Sequence, residues 1–274
     1  VGGATDGALG ALTVNTTGTG TFSAAVTAAS VTTDASGTTA INGGTITTTG
    51  AQTYNDAVTL GAATTLTSSS SGAINLASTV NGAQTLAINT AGVTTFGGAV
   101  GASTNLTSIT TDATGTVVIN GGTITTTGAA AAINISSNGN LVNAAAIKDT
   151  ASTGTGSNIN LTSTSGTITG AGAIGDTTNK NASVTFMQAG TSTYDGAINA
   201  ANFTKTGAGS LALDSWSLPT PLATNVSNAY TVKTGSLTLS PGSTLAWLAP
   251  TSVNVENASN FSLTANSNSR WNNT

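Results

Sequence analysis

The chain has no cysteine and no histidine among its 274 residues. Without cysteine, no disulfide can hold the fold together, and neither a thiolate metal site nor a cysteine nucleophile can be built. The fold must therefore be stabilised by non-covalent interactions.

Charged residues are almost as scarce. Only 5% of the residues are Asp, Glu, Lys or Arg, against about 25% in an ordinary globular domain. With one Glu, four Lys and one Arg, the chain lacks the residues of solvent-facing helices, whereas its many Thr, Val and Ile residues favour strands. Disorder normally accompanies a high net charge, and the net charge here is only −4. We therefore expect an all-β fold around a thin, elongated core.

Positive charge is absent from the sequence before Lys148. A nucleic acid or an anionic membrane is therefore not an expected partner. No apolar run approaches the ~18 residues of a membrane span, so membrane insertion is not expected either. The first residues, Val1-Gly2-Gly3, have none of the features of a signal peptide, which predicts a fragment or a processed form.

The clearest internal repeat is the segment 32–50, which returns further along the chain as segment 110–128. Both copies contain the sequence Asn-Gly-Gly-Thr-Ile-Thr-Thr-Thr-Gly. Duplicated units of short strands and turns are typical of solenoids, in which stacked coils bury a continuous core. The spacing of the two copies predicts a β-solenoid in which each duplicated unit forms about four coils of about 20 residues.

Two shorter patterns support short strands. A Thr-aromatic-x-x-Ala-β-branched motif places its aromatic residue at Phe22, Tyr54, Phe96 and Tyr194. Pairs of the form apolar-x-apolar put two side chains on one face of a strand and a polar residue on the other. These pairs are Ile74/Leu76, Leu86/Ile88, Ile133/Ile135, Ile159/Leu161, Leu211/Leu213, Leu237/Leu239 and Val253/Val255, with Asn75, Asn134 and Asn160 in outward middle positions.

The composition changes near residue 203. All four prolines, all three tryptophans, the only Glu and the only Arg lie beyond it. We therefore expect a repetitive β-solenoid over residues 1–214 and a more irregular C-terminal section, a cap or a junction, over residues 215–274.

Two segments resemble known families. Segments 41–50 (INGGTITTTG) and 53–58 (TYNDAV) resemble repeats of filamentous-haemagglutinin-like exoproteins, and segment 203–213 (FTKTGAGSLAL) resembles the passenger-associated repeat of autotransporters. The resemblance spans roughly residues 10–213. It implies a right-handed parallel β-helix, secretion across the outer membrane, an extracellular location on the bacterial cell surface, and a role in adhesion, biofilm or surface filaments. It carries over no catalytic residue.

The acidic residues do not form a pattern typical of catalysis. A polysaccharide-active β-helix needs clustered carboxylates, but eight Asp and one Glu are scattered along the chain and Arg270 stands near its end. Asp34 and Asp112 fall at matching repeat positions near glycine, which predicts turn chemistry. Asp149 follows Lys148 and could form a local ion pair. No calcium-binding nonapeptide or EF-hand loop occurs, so we expect no catalytic, cofactor-binding or metal-binding residue.

Three other features have both a functional and a structural interpretation. The Thr-x-Thr segments 45–47 and 123–125 could bind ice if they stacked on one flat face, although threonine also suits exposed strands. The four motif aromatics could be ligand platforms, although core packing is the favoured interpretation. Ten Asn-x-Ser/Thr sequons are possible modification sites, among them Asn105, Asn134, Asn160, Asn202 and Asn257.

Two functional classes follow. The leading hypothesis is a non-enzymatic adhesin stalk within a large exoprotein, whose partners are the rest of that protein and host or matrix surfaces. The alternative is a self-assembling extracellular filament or sheath subunit, since unpaired solenoid ends can template the next copy.

Overall fold

The computed structural model describes residues 7–128, 132–150, 158–175, 183–214, 225–240, 252–256 and 259–263. The described residues form strands and turns without a helix, and every strand pairing among them is parallel. The fold is a parallel β-solenoid whose successive coils lie about 22 residues apart, which confirms the predicted fold class. Coil length varies along the chain: Val31 pairs with Leu12 in a short coil, whereas Ile168 pairs with Leu141 in a longer one.

Three faces run along the solenoid, visited by the chain in the order face 1, face 2, face 3. Strands β1 (Leu9–Val14) and β3 (Val26–Thr33) run through faces 1 and 2. Face 1 then contains β5 (Thr45–Thr48), β8 (Thr64–Ser68), β11 (Thr85–Thr90), β13 (Ser108–Thr111), β16 (Ile133–Ser137), β19 (Asn158–Ser163), β21 (Ser183–Gln188) and β23 (Asn199–Thr206). Face 2 contains β6 (Gln52–Tyr54), β9 (Ile74–Leu76), β12 (Val93–Phe96), β14 (Thr116–Ile119), β17 (Leu141–Asn143), β20 (Ile168–Gly170), β22 (Ser192–Tyr194) and β24 (Ser210–Asp214).

Face 3 has short strands of two to four residues. It contains β2 (Thr19–Phe22), β4 (Thr38–Ile41), β7 (Ala57–Leu60), β10 (Val80–Asn81), β15 (Ile124–Thr126) and β18 (Ile147–Asp149). Single bridges at Val100, Ile174 and Ile198 continue it between and beyond these strands. Among the described residues no helix is long and apolar enough to cross a membrane.

The core follows from the alternation of the strands. In β9, Ile74 and Leu76 are fully buried while Asn75 between them faces outward, and the other predicted pairs whose side chains the structure describes behave alike. Stacking places the inward side chains in columns, such as Val26, Ile46 and Leu66 on face 1. Each fully buried aliphatic side chain contributes about 1.5–3 kcal/mol, so a chain with few large apolar residues still builds a continuous core.

The corner between faces 1 and 2 is built from glycine and inward hydroxyl groups. A Cβ on Gly72 would lie 2.3 Å from the carbonyl carbon of Gly50, and one on Gly209 would lie 1.9 Å from the oxygen of Gly190. Only glycine therefore fits at these two turn positions. Ser68 Oγ donates to the carbonyl of Gly50 at 2.9 Å, and Thr90 Oγ1 donates to the carbonyl of Gly72 at 2.6 Å. Each hydroxyl thus satisfies a turn carbonyl of the preceding coil.

Strands continue beyond residue 214. On face 1, β25 (Asn225–Val232) and β27 (Ser252–Val255) extend the ladder, and on face 2 it is extended by β26 (Ser236–Ser240) and β28 (Asn260–Leu263). The division between residues 214 and 215 stays a prediction. The prolines and tryptophans that motivated it, at positions 216, 219, 221, 241, 247, 250 and 271, lie outside the described residues.

The duplicated unit, which begins at residue 32 and again at residue 110, is not a whole number of coils. On face 3, Thr39 pairs with Val58 of the next coil, and the pairing continues through Val80 and Val100 to Ile124. Ile124 therefore lies four coils after Thr39 on the same face. The repeat counterpart of Thr39, Val117, instead lies on face 2. The repeat unit therefore spans between three and four coils, slightly fewer than the roughly four predicted. The coils lie about 22 residues apart, close to the predicted spacing of roughly 20, and the two copies sit one face apart.

This offset predicts opposite outcomes for two internal deletions. Deleting residues 46–123 leaves the local sequence NGGTITTTG intact but moves every later strand to the neighbouring face. Mismatching even two or three buried side chains costs about 5 kcal/mol, or roughly 10–20 °C in the unfolding midpoint of a chain of this size. Deleting residues 39–123 removes four whole coils and should unfold cooperatively near the wild-type midpoint. Thermal unfolding followed by circular dichroism compares them, and equal midpoints would contradict the assignment of faces.

Candidate functional site

One corner of the solenoid differs from the other two in the length of its connections. Connections from face 3 to face 1 are three residues long in the early coils, namely 42–44, 61–63 and 82–84. In the next four coils they lengthen to residues 101–107, 127–132, 150–157 and 175–182. From β5 to β24, connections at the other two corners stay at two to five residues. Since insertions in repeat proteins map to one face that often binds partners, we take this long-loop corner as the candidate functional site.

The connection 101–107 is the one long loop that the structure describes in full. Residues 101–105 are inserted at the edge of face 3 that adjoins this corner, because the fully buried Val100 and Leu106 bridge to Ile124 and Thr126, which are only two residues apart on face 3. Asn81 Oδ1 accepts hydrogen bonds from the backbone amides of Ser103 (2.9 Å) and Thr104 (3.2 Å). The loop therefore presents an ordered, exposed tip with hydroxyl groups at Ser103 and Thr104.

The same corner holds a buried carboxylate. Asp149 is 4% exposed, and its Oδ1 accepts a hydrogen bond from Thr126 Oγ1 at 3.0 Å, while its Oδ2 has no hydrogen-bond partner. Lys148 lies on the outward side of β18, half-buried, and Asp149 on the inward side. The predicted ion pair between these two neighbours is wrong, because successive side chains of a strand point to opposite sides.

A second buried carboxylate, Asp56, is fully paired. Thr33 Oγ1 donates to its Oδ1 at 2.6 Å, and Thr39 Oγ1 donates to its Oδ2 at 2.8 Å. The two hydroxyls come from faces 2 and 3 of the preceding coil. Asp56 therefore links two faces across a corner, whereas Asp149 has one carboxyl oxygen without a hydrogen-bond partner.

The predicted turn role of Asp34 and Asp112 is confirmed. Asp34 Oδ1 accepts from the amide of Thr16 at 3.2 Å, a hydrogen bond that lowers the pKa of the Asp34 carboxyl. Asp112 Oδ1 accepts in the same way from the amide of Thr90 at 3.2 Å. The two carboxylates lie at different corners, after faces 2 and 1 respectively, so they do not meet.

The favoured interpretation of the motif aromatics is confirmed for three of the four. Tyr54, Phe96 and Tyr194 end strands of face 2 and are at most 1% exposed. Burial raises the pKa of Tyr54, whose hydroxyl donates to Gln52 Oε1 at 2.9 Å. Phe22 ends a strand of face 3 and is half-buried against the same core. The three buried rings fill the interior and offer no stacking platform.

The two Thr-x-Thr segments do not form one array. Thr45 and Thr47 face outward on face 1 and pair with Thr65 and Thr67 of the next coil. Segment 123–125 lies on face 3, and Thr125 is buried. The flat array of repeated threonines that ice binding would need is therefore divided between two faces.

Most sequon amides whose side chains the structure describes are already engaged. Asn160 Nδ2 donates to Asn134 Oδ1 at 2.7 Å, forming an amide ladder along face 1. Asn105 Nδ2 donates to Thr150 Oγ1 at 2.9 Å, and Asn202 Nδ2 donates to Ser183 Oγ at 3.4 Å. Asn257 and Arg270 lie outside the described residues.

Sequence reasoning missed Lys205, a fully buried amine in the interior column of face 1. Its Nζ donates to the carbonyls of Thr206 (2.9 Å), Gly207 (2.7 Å) and Thr234 (3.3 Å). Gly207 stands where preceding coils carry a hydroxyl or amide side chain, so the Lys205 amine takes over the pairing of the turn carbonyls. Loss of hydration lowers the pKa of Lys205 to about 8. Strand alternation alone could have revealed a lysine at an inward position.

No group of three or more His, Cys, Asp or Glu residues that could hold a metal ion occurs in the part of the chain that the structure describes. The chain matches no protein-family model, no curated protein and no solved structure.

We expect an Asp→Asn substitution to change the free energy of unfolding in opposite directions at the two buried carboxylates. Asp149→Asn removes an incompletely paired buried charge and should raise the free energy of unfolding by about 1 kcal/mol. Asp56→Asn places an amide donor against a hydroxyl donor and should lower it by about 2 kcal/mol. Denaturant unfolding of both variants measures the difference. Equal destabilisation would mean that the Asp149 carboxylate is as well paired as Asp56.

Lys205 predicts a pH dependence of stability. Between its folded pKa of about 8 and its unfolded value of 10.5, the unfolded chain binds more protons than the folded chain. Stability should therefore rise with pH across this window, and the gain should be lost as the pH falls through 8. The free energy of unfolding of the wild type minus that of Lys205→Met, measured from pH 7 to 10.5, should increase. A flat difference would argue against a depressed pKa.

Proposed function

We propose that this chain is a non-enzymatic stalk segment of a secreted bacterial surface protein, an adhesin of the kind built from filamentous-haemagglutinin-like or autotransporter repeats. The observation that carries the proposal is the unbroken pair of parallel ladders along faces 1 and 2, from β1 to β28. Such ladders make a solenoid grow along one axis, so each added coil adds length and leaves the cross-section unchanged.

The surface chemistry supports a structural role. The outward positions of face 1 are Thr, Asn, Ser and Ala side chains along most of the column, as in the paired series Thr65, Ala87, Thr110 and Asn134. The described carboxylates are spread over separate corners or are buried singly. A reaction that needs a paired acid and base has no such pair among the described residues.

The long-loop corner is the part of the stalk proposed to contact host or matrix surfaces. Its described tip exposes Ser103 and Thr104 on an ordered backbone. Hydroxyl groups fixed in this way can form directional hydrogen bonds at little cost in conformational entropy.

A reach assay tests the stalk role. The chain is displayed between an outer-membrane anchor and a fused binding module on encapsulated and on bare cells. Deleting residues 39–123 removes four coils and shortens the solenoid by about 19 Å at ~4.8 Å per coil. Every later strand stays on its own face. Adhesion to the module's immobilised ligand should fall on encapsulated cells and stay unchanged on bare cells. An equal effect on both cell types would reject a spacer role.

The parallel ladders also favour a second candidate, a filament subunit, because the edge of a parallel sheet can template a strand of another chain. Negative-stain electron microscopy of the purified chain separates the candidates, since long uniform fibres are expected only from the filament subunit.

A further inference from the structure

On face 2, outward residues of successive strands pair in register and form a row along the solenoid. The residues of this row are polar except near its centre, where they are apolar. The row is polar in the early coils, with Thr32, Thr53, Asn75 and Thr95 paired in succession, becomes Val118 and Val142, and returns to Thr169. An outward strand position costs least when it is polar, so two consecutive valines in a column of threonines are unexpected.

A third valine completes the patch. Val93 lies on the outward side of β12, two residues before Thr95, and pairs with Thr116. It is 40% exposed and is the one large apolar side chain that is exposed in the described part of the chain. Val93, Val118 and Val142 therefore come from three neighbouring strands of one face and form what we call the valine patch.

Face 2 is bordered by short connections. From β5 to β24, the connections at its corners with faces 1 and 3 are two to five residues long, whereas the longer connections lead from face 3 to face 1. Over these strands a partner can therefore approach face 2 between short turns.

No charged side chain faces outward on this face among the side chains that the structure describes. Face 3 differs, because Lys148 is outward on β18. An apolar centre inside a polar rim is the usual anatomy of a protein interface. Asp34, Asp112 and Asp195 are partly exposed in the turns that border face 2, so two copies that meet at the uncharged centre of the face keep these carboxylates at the rim of the contact.

The area is sufficient for a specific contact. Nine strands from β3 to β24 contribute to face 2, which gives about 40 Å along the axis at ~4.8 Å per strand and about 13 Å across at ~3.3 Å per residue. Two such surfaces together bury roughly 1,000 Å², the size at which specific interfaces begin.

We propose that face 2 is a lateral, two-fold symmetric interface with a second copy of this chain, centred on the valine patch. A two-fold interface brings the same surface of both copies together, so each patch lies against its equivalent and the threonine rows form the rim. The two solenoids then lie side by side, with their long-loop corners on opposite outer edges. This proposal does not depend on the stalk role.

Threonine substitutions test the interface with little risk to the fold, because threonine is the residue that this column carries in other coils. Sedimentation equilibrium of the wild type should give a dimer. The triple variant Val93→Thr/Val118→Thr/Val142→Thr should raise the dissociation constant more than about tenfold, which corresponds to 1.4 kcal/mol. Its circular dichroism spectrum should match that of the wild type.

Two lysine substitutions, one on face 2 and one on face 1, provide a matched test and control. Val118→Lys should leave only monomer, whereas Thr110→Lys, an exposed position on face 1 of the same coil, should leave the dimer intact. A wild type that is monomeric at every soluble concentration would overturn the proposal. So would a dimer that survives the valine substitutions, or one that Thr110→Lys dissociates as readily.

Discussion

The close approach of successive backbone coils is the constraint on which the rest of this structure depends. Coils that share parallel ladders lie about 4.8 Å apart, and at the corner of faces 1 and 2 this leaves no room for a side chain on Gly72 or Gly209. The turn carbonyls exposed by these glycines would be costly if unpaired. At this corner the inward Ser68 hydroxyl donates to the carbonyl of Gly50 and the Thr90 hydroxyl to that of Gly72, and the Lys205 amine donates to the carbonyl of Gly207. Glycine, serine and threonine are therefore abundant for a structural reason.

Much of the fold could be predicted from the sequence, because strand alternation is a local property. Ile74 and Leu76 are buried and Asn75 faces outward as the pattern indicates, and Tyr54, Phe96 and Tyr194 pack in the core. The face on which each copy of the duplicated unit lies could not be predicted in this way. It depends on the summed lengths of all intervening strands and corners, and a small change in the length of each coil moves a copy to another face. The exposed tip at Ser103 and Thr104 was missed for the same reason, since an insertion is visible only once the faces are assigned.

The three corners of the solenoid differ in the length of their connections. Face 2 is bordered by short connections and carries no outward charged side chain among those that the structure describes, and the longer connections lead from face 3 to face 1. A chain can lengthen a connection at one corner without disturbing the ladders on either side, because the pairing of each strand is set by its neighbours in adjacent coils. The dimer contact proposed for face 2 and the surface contact proposed for the long-loop corner therefore involve different parts of the circumference.

The corners built from glycine and hydroxyl side chains also affect how easily related solenoids can be recognised from their sequences. The positions that this architecture constrains most strictly accept only the smallest or the simplest polar residues, which carry little information in an alignment. The outward positions, which could distinguish one lineage from another, are free to drift among Thr, Asn, Ser and Ala. Two solenoids of common origin can therefore lose recognisable similarity while their cross-sections stay superimposable.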